Sequence, residues 1–339
     1  MIGRLLTAAV TLLLAALLLV ACWPQLFGLQ QTMGVAQLVS LRGIAALVAV
    51  LLAVLLTLVA LLTAQTRRFF AGLAVLLLAF AVVSTGVLAV RGFGGGAFQT
   101  TAEGDLVVLS WNTLGDAPGA ETIAELALEV DADVVALPET SHEAGEQVRA
   151  LLAASGHEMQ LIDLQADQIS KARSTVLLIS TALGEYVRDD TVGTTPTLPS
   201  VVAVPVDGTG PTIVAAHPVA PVPGEMQNWR DGLAWLADRC ADADANLIVA
   251  GDLNSTLDHW AGLGSDVGLA ACDDAARAVG TAAVGTWPTL LPALLGAPID
   301  HVLATPAWQP IGFRVIESAD GAGSDHRPVV AQLRPADGS

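Results

Sequence analysis

The sequence predicts an α/β fold of two packed mixed β-sheets flanked by helices, preceded by three transmembrane helices. Three observations carry this. The chain has no Asp or Glu before Glu103, and that part holds three long apolar runs. Beyond it, short apolar runs of strand length alternate with polar and helical stretches. Two of these runs flank "PVDGTGP" (205–211), whose Asp-Gly pair signals a hairpin. Those two strands are then antiparallel neighbours, which makes the sheet system mixed.

The apolar runs are Leu5–Ala21, Ile44–Ala64 and Phe69–Val90. A bilayer core of ~30 Å needs ~20 helical residues, so the second and third fit and the first is a little short. Buried core helices are rarely this long without a charge. Orientation follows the basic residues. Arg4 precedes the first span and Arg67–Arg68 lie in the tight turn between the second and third, which puts both in the cytoplasm; Arg42 and Arg91 weakly oppose this. Everything after Arg91 is therefore expected outside the cytoplasm, on a multi-pass cell-membrane protein. "LVAC" (Leu19–Cys22) also has the form of a lipoprotein cleavage box. Cleavage there leaves a lipidated Cys22 and the same final topology.

"RGFGGGAFQTTAEGD" (Arg91–Asp105) is a Gly-rich connector. The boundaries drawn from it are a membrane domain over 1–91, a linker over 92–104 and a soluble domain over 105–335. All 33 acids of the chain but only 10 of its 15 basic residues follow Arg91, so the outer part carries 10 − 33 = −23. Strands are expected at 105–112, 133–139, 174–180, 201–206, 212–217, 246–252, 299–305, 313–318 and 328–333, with helices over Ala120–Val130, Ala144–Ala154 and Gln227–Ala241. No GxGxxG follows the first of these strands and no GxxxxGK[ST] occurs, so dinucleotide-binding and P-loop folds do not fit. Cys240 and Cys272 either pair, as an extracytoplasmic location permits, or stand as two buried thiols. Without CxxC, HExxH or a close Cys/His cluster, a structural zinc site is not expected.

Polar residues recur at the strand ends: Asn112, Glu139, His217, Asp252 with Asn254, Asp300, and Asp325–His326. Each alone has an ordinary explanation as a turn former or a helix cap. Together, in a mixed sheet, the C-terminal ends of some strands share an edge with the N-terminal ends of others, and these eight residues meet at one rim. His142, His157, His259 and His301 read instead as surface or packing histidines.

In that order, "LSWNT", "ALPET", "AAHP", "VAGDLNST", "PIDHVL" and "SDHRPVVAQL" resemble the motifs of the endonuclease/exonuclease/phosphatase superfamily, with its pancreatic-deoxyribonuclease-like fold. The resemblance spans about Asp105–Leu333 and implies a four-layer α/β sandwich with metal-dependent phosphoric-ester hydrolysis. It further implies Glu139 as the main carboxylate ligand of Mg²⁺ (or Mn²⁺), with Asn112 beside it and Asp325 assisting. Mg²⁺ keeps several waters, so few protein ligands suffice. His326 is implied as base or phosphate clamp, Asp300 as the group that orients it, and Asp252 as the residue that positions or deprotonates the attacking water. Asn254 and His217 are implied as phosphate contacts. One departure concerns the Tyr or Arg that several nuclease members place near the phosphate. Tyr186, the chain's one Tyr, does not match, and Lys171 and Arg173 are the candidates to replace it.

Charge then bears on the substrate. Nucleic-acid binding depends on Lys and Arg neutralising phosphates, and a domain at −23 with a single Lys has no basic stripe. A site held near a lipid bilayer meets lipid head groups, lipid-linked intermediates and small secreted phosphates. The layout also resembles that of membrane-anchored actinobacterial members. The expected substrate is a phosphomonoester, phosphodiester or pyrophosphate linked to a lipid. The alternatives are a tethered extracellular nuclease and a catalytically inactive phosphate-binding or sensing module.

Overall fold

The structure is a computed structural model that describes residues 2–94, 98–165, 170–264 and 268–336. Residues 95–97 of the expected linker lie outside the described residues. The chain divides into two compact units, Met1–Arg91 and Gly92–Ser339.

The first unit consists of α1 (Ile2–Cys22), α2 (Val35–Ser40), α3 (Arg42–Leu62) and α4 (Arg67–Arg91). Stretches Gly3–Cys22, Arg42–Leu62 and Arg67–Arg91 are long and apolar enough to cross a membrane. Ala46, Ala49 and Ala53 of α3 and Ala74, Leu77 and Ala81 of α4 recur at helical spacing and are buried. Small residues on facing helices let the backbones approach, which is how helices pack where lipid offers no hydrophobic drive. Their leucines point outward, as in Leu51, Leu55, Leu58 and Leu62 of α3.

The second unit holds β1 (Leu106–Ser110), α5 (Ala120–Glu129), β2 (Val134–Pro138), α6 (His142–Ala154), β3 (Met159–Gln165), β4 (Ser174–Ser180), β5 (Tyr186–Arg188), β6 (Val201–Pro205), β7 (Thr212–Ala216), α7 (Met226–Arg239), β8 (Leu247–Asp252), β9 (Gly268–Leu269), β10 (Cys272–Asp274), α8 (Ala275–Ala278), β11 (Asp300–Ala304), β12 (Trp308–Val315) and β13 (Val329–Pro335). They form two sheets, ordered β12-β13-β1-β2-β4-β3 and β5-β6-β7-β8-β11-β10-β9. β1 and β2 run parallel, as do β7 and β8, and the other pairs are antiparallel. Side chains alternate across each strand. Leu106 and Val108 enter the core between the sheets with Ile213, Ala215, Ile248 and Ala250, while Val107 and Leu109 pack under α5 and α6. The expected mixed two-sheet sandwich is thus the fold, and β6 and β7 are the antiparallel pair signalled by Asp-Gly.

The strands that patterning did not reveal have physical reasons. β3 alternates apolar residues with Gln and Asp and lies half-exposed at a sheet edge. β5, β9 and β10 are only two or three residues long. The strand expected at 313–318 begins earlier, at Trp308; Pro310 and Gly312 hid it, and its register shifts between them. This is an edge strand, where a residue lacking an N–H is tolerated. Cys240 and Cys272 form a disulfide, with Cα atoms 5.4 Å apart, that ties the end of α7 to β10.

Candidate active site

Register alone builds the rim. In the first sheet Ser110 lies opposite Ala136 of parallel β2 and Val329 of antiparallel β13. The exits of β1 and β2 and the entry to β13 therefore share an edge, which carries Asn112, Glu139, Asp325 and His326. In the second sheet Ala216 lies opposite Gly251, and Asp300 lies opposite Asp252. That edge carries His217, Asp252, Asn254 and Asp300. The two edges meet. Asn112 Nδ2 donates to Glu139 Oε1 and to Asp252 Oδ2, each at 3.0 Å. His326 Nδ1 lies 2.9 Å from Asp300 Oδ2, and its Nε2 lies 3.7 Å from Asp252 Oδ2.

The backbone is shaped for this. Gly251 is required because a Cβ there would lie 1.9 Å from the Ala216 carbonyl oxygen. Glu139 has φ 56° and Asn254 has φ 45°. The left-handed region is tolerated by Asn but uncommon for Glu. The carbonyl of Glu139 is fixed by Thr113 Oγ1 at 2.9 Å and Gly115 N at 3.0 Å. Strain held in this way is typical of functional positions.

Two side chains differ from expectation in what they face. Asn112 was expected beside the cation, but it turns its N–H groups to the two carboxylates while its Oδ1 accepts from Leu114 N at 3.0 Å. An amide N–H cannot ligate a cation, so Asn112 here orients Glu139 and Asp252. Asn254 was expected to donate to a phosphate. Its Nδ2 instead donates to Pro218 O at 3.0 Å and Asp252 Oδ2 at 3.1 Å, and its backbone N donates to Asp252 Oδ1 at 2.8 Å. Asn254 therefore clamps Asp252.

Burial and charge tune the group. Burial raises the Asp252 carboxyl to about 7 against the pull of His326. Burial also raises Glu139, and the charge of Asp325 adds to this. His326 is buried, which alone would lower it, but Asp300 and Asp252 outweigh that and lift it to about 10. His217 is fully buried and held down to about 3, hence neutral. Its Nε2 faces Glu139 Oε1 at 3.7 Å and Asp252 Oδ2 at 3.9 Å, and neither ring nitrogen has a hydrogen-bond partner among the described residues.

Donor atoms of Asp252, Asp300 and His326 all lie within 4.8 Å of one another, an acidic cluster able to hold a metal ion. A protonated His326 already compensates Asp252 and Asp300. The remaining carboxylates fit a hard divalent cation better. Asp325 Oδ1 is buried without a partner among the described residues, and Glu139 is held by burial against its own ionisation. Oxygen donors of this kind suit such a cation.

Several residues that support the site were not singled out by sequence. Trp287 Nε1 donates to Asp325 Oδ2 at 2.8 Å, and Trp111 Nε1 donates to His326 O at 2.9 Å. Ser324 Oγ donates to Asn112 O at 2.6 Å and accepts from His326 N at 3.0 Å. Ser324 and Arg327 flank the quoted "SDHRP" acid and histidine, so adjacency was the available signal. His301 is not inert packing. Its Nδ1 lies 2.6 Å from Asp274 Oδ2, and its Nε2 lies 2.9 Å from the Ser255 carbonyl, directly after Asn254. Tyr186 lies in the inter-sheet core, away from the rim. Lys171 Nζ pairs with Asp116 at 2.8 Å, and Arg173 Nε donates to the Thr197 carbonyl at 3.3 Å.

The sequence over residues 109–326 matches the Endonuclease/Exonuclease/phosphatase family. No curated protein matches the chain. Among solved structures, an endonuclease/exonuclease/phosphatase from Beutenbergia cavernae DSM 12333 is similar at 22% identity and TM-score 0.53, over 68% of this chain and 72% of that one. D. rerio TDP2 complexed with single strand DNA product is similar at 19% identity and TM-score 0.53, over 68% of this chain and all (100%) of that one. At these identities the likeness concerns the fold.

Proposed function

The chain belongs to the endonuclease/exonuclease/phosphatase family, and from that premise we propose that it is a membrane-anchored, extracytoplasmic, Mg²⁺-dependent phosphoesterase acting on a lipid-linked phosphoester or pyrophosphate. The observation that carries the reading is the continuous set of contacts at the rim. It runs Asp300–His326–Asp252–Asn112–Glu139 and joins groups from both sheets within 3.7 Å of one another at each step.

Glu139 and Asp325 would hold the cation. When bound, it would polarise the phosphoryl oxygens and stabilise the leaving oxygen. Asp252, fixed by Asn254 and Asn112, accepts the proton of the attacking water, and a carboxyl that titrates near neutral pH is suited to this. His326 is held protonated and oriented by Asp300, so it clamps a phosphoryl oxygen rather than acting as the base. Neutral His217 offers its unpartnered ring to the same phosphate.

The substrate class rests on charge and tethering. Among the described residues, Arg149, Lys171, Arg188, Arg277, Arg327 and Arg334 are paired with acids. Little basic surface is left to neutralise a polyanion. Three membrane-length helices supply the anchor. The Cys240–Cys272 disulfide fits an oxidising compartment, which supports the extracytoplasmic reading drawn from the basic residues.

The test uses the full chain in lipid nanodiscs with Mg²⁺ or EDTA. Its substrates are a lipid pyrophosphate, a sphingomyelin-type diester, plasmid DNA and an aryl phosphate. Hydrolysis of a lipid-linked substrate that EDTA abolishes, with the plasmid intact, is the expected result. Preferential plasmid cleavage would replace it with the tethered nuclease. Phosphate binding without turnover would replace it with the sensing module. A reporter active only outside the cytoplasm, fused after Ser339, checks the side of the membrane.

A further inference from the structure

Among the described residues of the second unit, eight large apolar side chains are exposed: Phe93, Leu114, Leu151, Val187, Val206, Val222, Leu290 and Leu294. Scattered exposed apolar residues are ordinary. These are not evenly placed. Leu114 and Val222 stand on the loops that follow Asn112 and His217. Leu290, which is 91% exposed, and Leu294, at 53%, stand on the loop 285–296, with Pro292 also exposed. That loop lies in the longest uncharged part of an otherwise acidic domain, since no charged residue occurs between Arg277 and Asp300.

The loop is fixed, and it is fixed to the catalytic segment. Its base closes through Gly285 N donating to Ala293 O at 2.8 Å, and Ala297 pairs with Trp287 across it. A Cβ at Gly285 would meet the backbone of Gly296 at 2.4 Å, so the two strands of the base touch. The guanidinium of Arg327 is fully buried inside the loop. It donates to the carbonyls of Gly285 at 3.2 Å, Thr289 at 3.3 Å and Leu291 at 2.7 Å, and pairs with Asp320. Thr289 N donates to Asp325 O at 2.9 Å, and Trp287 Nε1 donates to the Asp325 side chain. The residues on both sides of His326 thus brace a loop whose Leu290 and Leu294 stay exposed. A loop tip this firmly hydrogen-bonded at its base, apolar and uncharged is built for contact with an apolar phase.

The path of the chain into this unit indicates which phase. The chain enters this unit at Gly92, the residue after α4. Gly92 O accepts from Ala283 N at 3.0 Å, and Gly94 N donates to Gly280 O at 3.2 Å. The segment that leaves the last apolar helix is therefore hydrogen-bonded to the residues at the foot of this loop. We propose that the loop Pro288–Leu295 is a bilayer-contacting loop. Leu290 and Leu294 enter the apolar region of the membrane and present the phosphoester of a lipid to the rim beside His326. This deepens the lipid-linked reading above and rests on it. The net −23 of the outer part makes the contact apolar rather than electrostatic, so it favours zwitterionic over anionic lipid.

The test uses the full chain with Cys22→Ser, so that a single introduced thiol takes a polarity-sensitive fluorophore, and proteoliposomes of phosphatidylcholine. The probe at Leu290→Cys is expected to shift to the blue and to be quenched by a quencher carried on the acyl chains. The same probe at Leu151→Cys on α6 is expected to stay water-like. A water-like Leu290 probe, or equal quenching at both positions, overturns the proposal. This readout does not depend on turnover, so it stands apart from any failure of the phosphoesterase reading. In turnover assays, Leu290→Asn with Leu294→Asn should raise KM for the lipid-linked substrate about tenfold or more and leave aryl phosphate hydrolysis unchanged. An equal loss on both substrates would assign the loop to scaffolding instead.

Discussion

Asp252→Asn separates a catalytic carboxylate from a turn-forming one, and the structure gives the size of both effects. Asp252 accepts three hydrogen bonds from the chain: Oδ1 from Asn254 N, and Oδ2 from Asn112 Nδ2 and Asn254 Nδ2, with His326 Nε2 farther off at 3.7 Å. An amide offers one acceptor oxygen, so the variant loses either the Asn254 N contact or the two Nδ2 contacts. At ~0.5–1.5 kcal/mol per bond this destabilises by roughly 0.5–3 kcal/mol. Against this, the variant no longer buries a carboxylate. The folded Asp252 titrates at about 7, above its ordinary 3.8. A raised folded value means that its stabilising contribution is complete below the unfolded pKa and is lost as pH rises through the folded one. In EDTA, the stability of the wild type over the variant should therefore shrink between about pH 4 and pH 7. Loss of the proton acceptor should lower kcat by ~10²–10⁴-fold, or about 2.7–5.4 kcal/mol in the barrier. The assay is kcat on the lipid-linked substrate beside thermal midpoints at pH 5 and 8. Full kcat with an unchanged midpoint would refute the reasoning and leave Asp252 as a turn residue.

Other perturbations probe separate parts. Glu139→Gln keeps shape and removes charge, so Mg²⁺ binding measured by calorimetry should weaken and hydrolysis fall by orders of magnitude; near-normal turnover at saturating Mg²⁺ removes Glu139 from the metal. Asp274→Asn breaks a buried pair with His301 and should destabilise by ~3–5 kcal/mol, read as a denaturant midpoint. Burial lowers His301, but the charge and hydrogen bond of Asp274, joined by the Ser255 carbonyl and Asp300, outweigh it and raise His301. The pair's stabilisation is thus present below the unfolded imidazole pKa and lost as pH rises past the folded one; a pH-independent difference between variant and wild type contradicts this. Cys240→Ser with Cys272→Ser opens a crosslink spanning 32 residues and should cost ~2–4 kcal/mol. An unchanged midpoint under reducing agent would show that the bridge is not formed.

Much of this was legible because the site lies at strand ends. A strand of apolar residues that stops on Asp, Asn, Glu or His declares both its boundary and its chemistry, and the eight residues so marked do converge. The direction of a side-chain amide was not legible. Asn112 and Asn254 keep the expected neighbourhood but turn their N–H groups to Asp252, a buried carboxylate that needs donors. Nor was the support from non-adjacent loops. Trp287 and Asp274 reach the site region only through tertiary contacts, and no local pattern distinguishes them. Short edge strands were missed for the same reason that helix ends and loops are hard to read: two or three residues carry too little periodicity.

The placement of Asp300 opposite Asp252 deserves a physical account, since like charges facing across neighbouring strands are destabilising. The fold accepts this because His326 arrives from the other sheet and lies between them, 2.9 Å from one and 3.7 Å from the other. Its charge thus serves to hold the two sheets' edges together, besides the phosphate contact proposed for it. Replacing His326 by an apolar residue would leave two buried carboxylates without a counter-charge, so the loss of activity would be mixed with a loss of fold. Asp300→Asn is the cleaner probe. It removes one of the repelling charges, keeps an acceptor for Nδ1 and lowers the basicity of His326 by taking away the largest of the influences that raise it. If His326 must be protonated to clamp the phosphate, activity in that variant should fail from the alkaline side at lower pH than in the wild type. The stability of the domain should be kept or improved. A scaffold role for Asp300 would instead lower activity equally at all pH values.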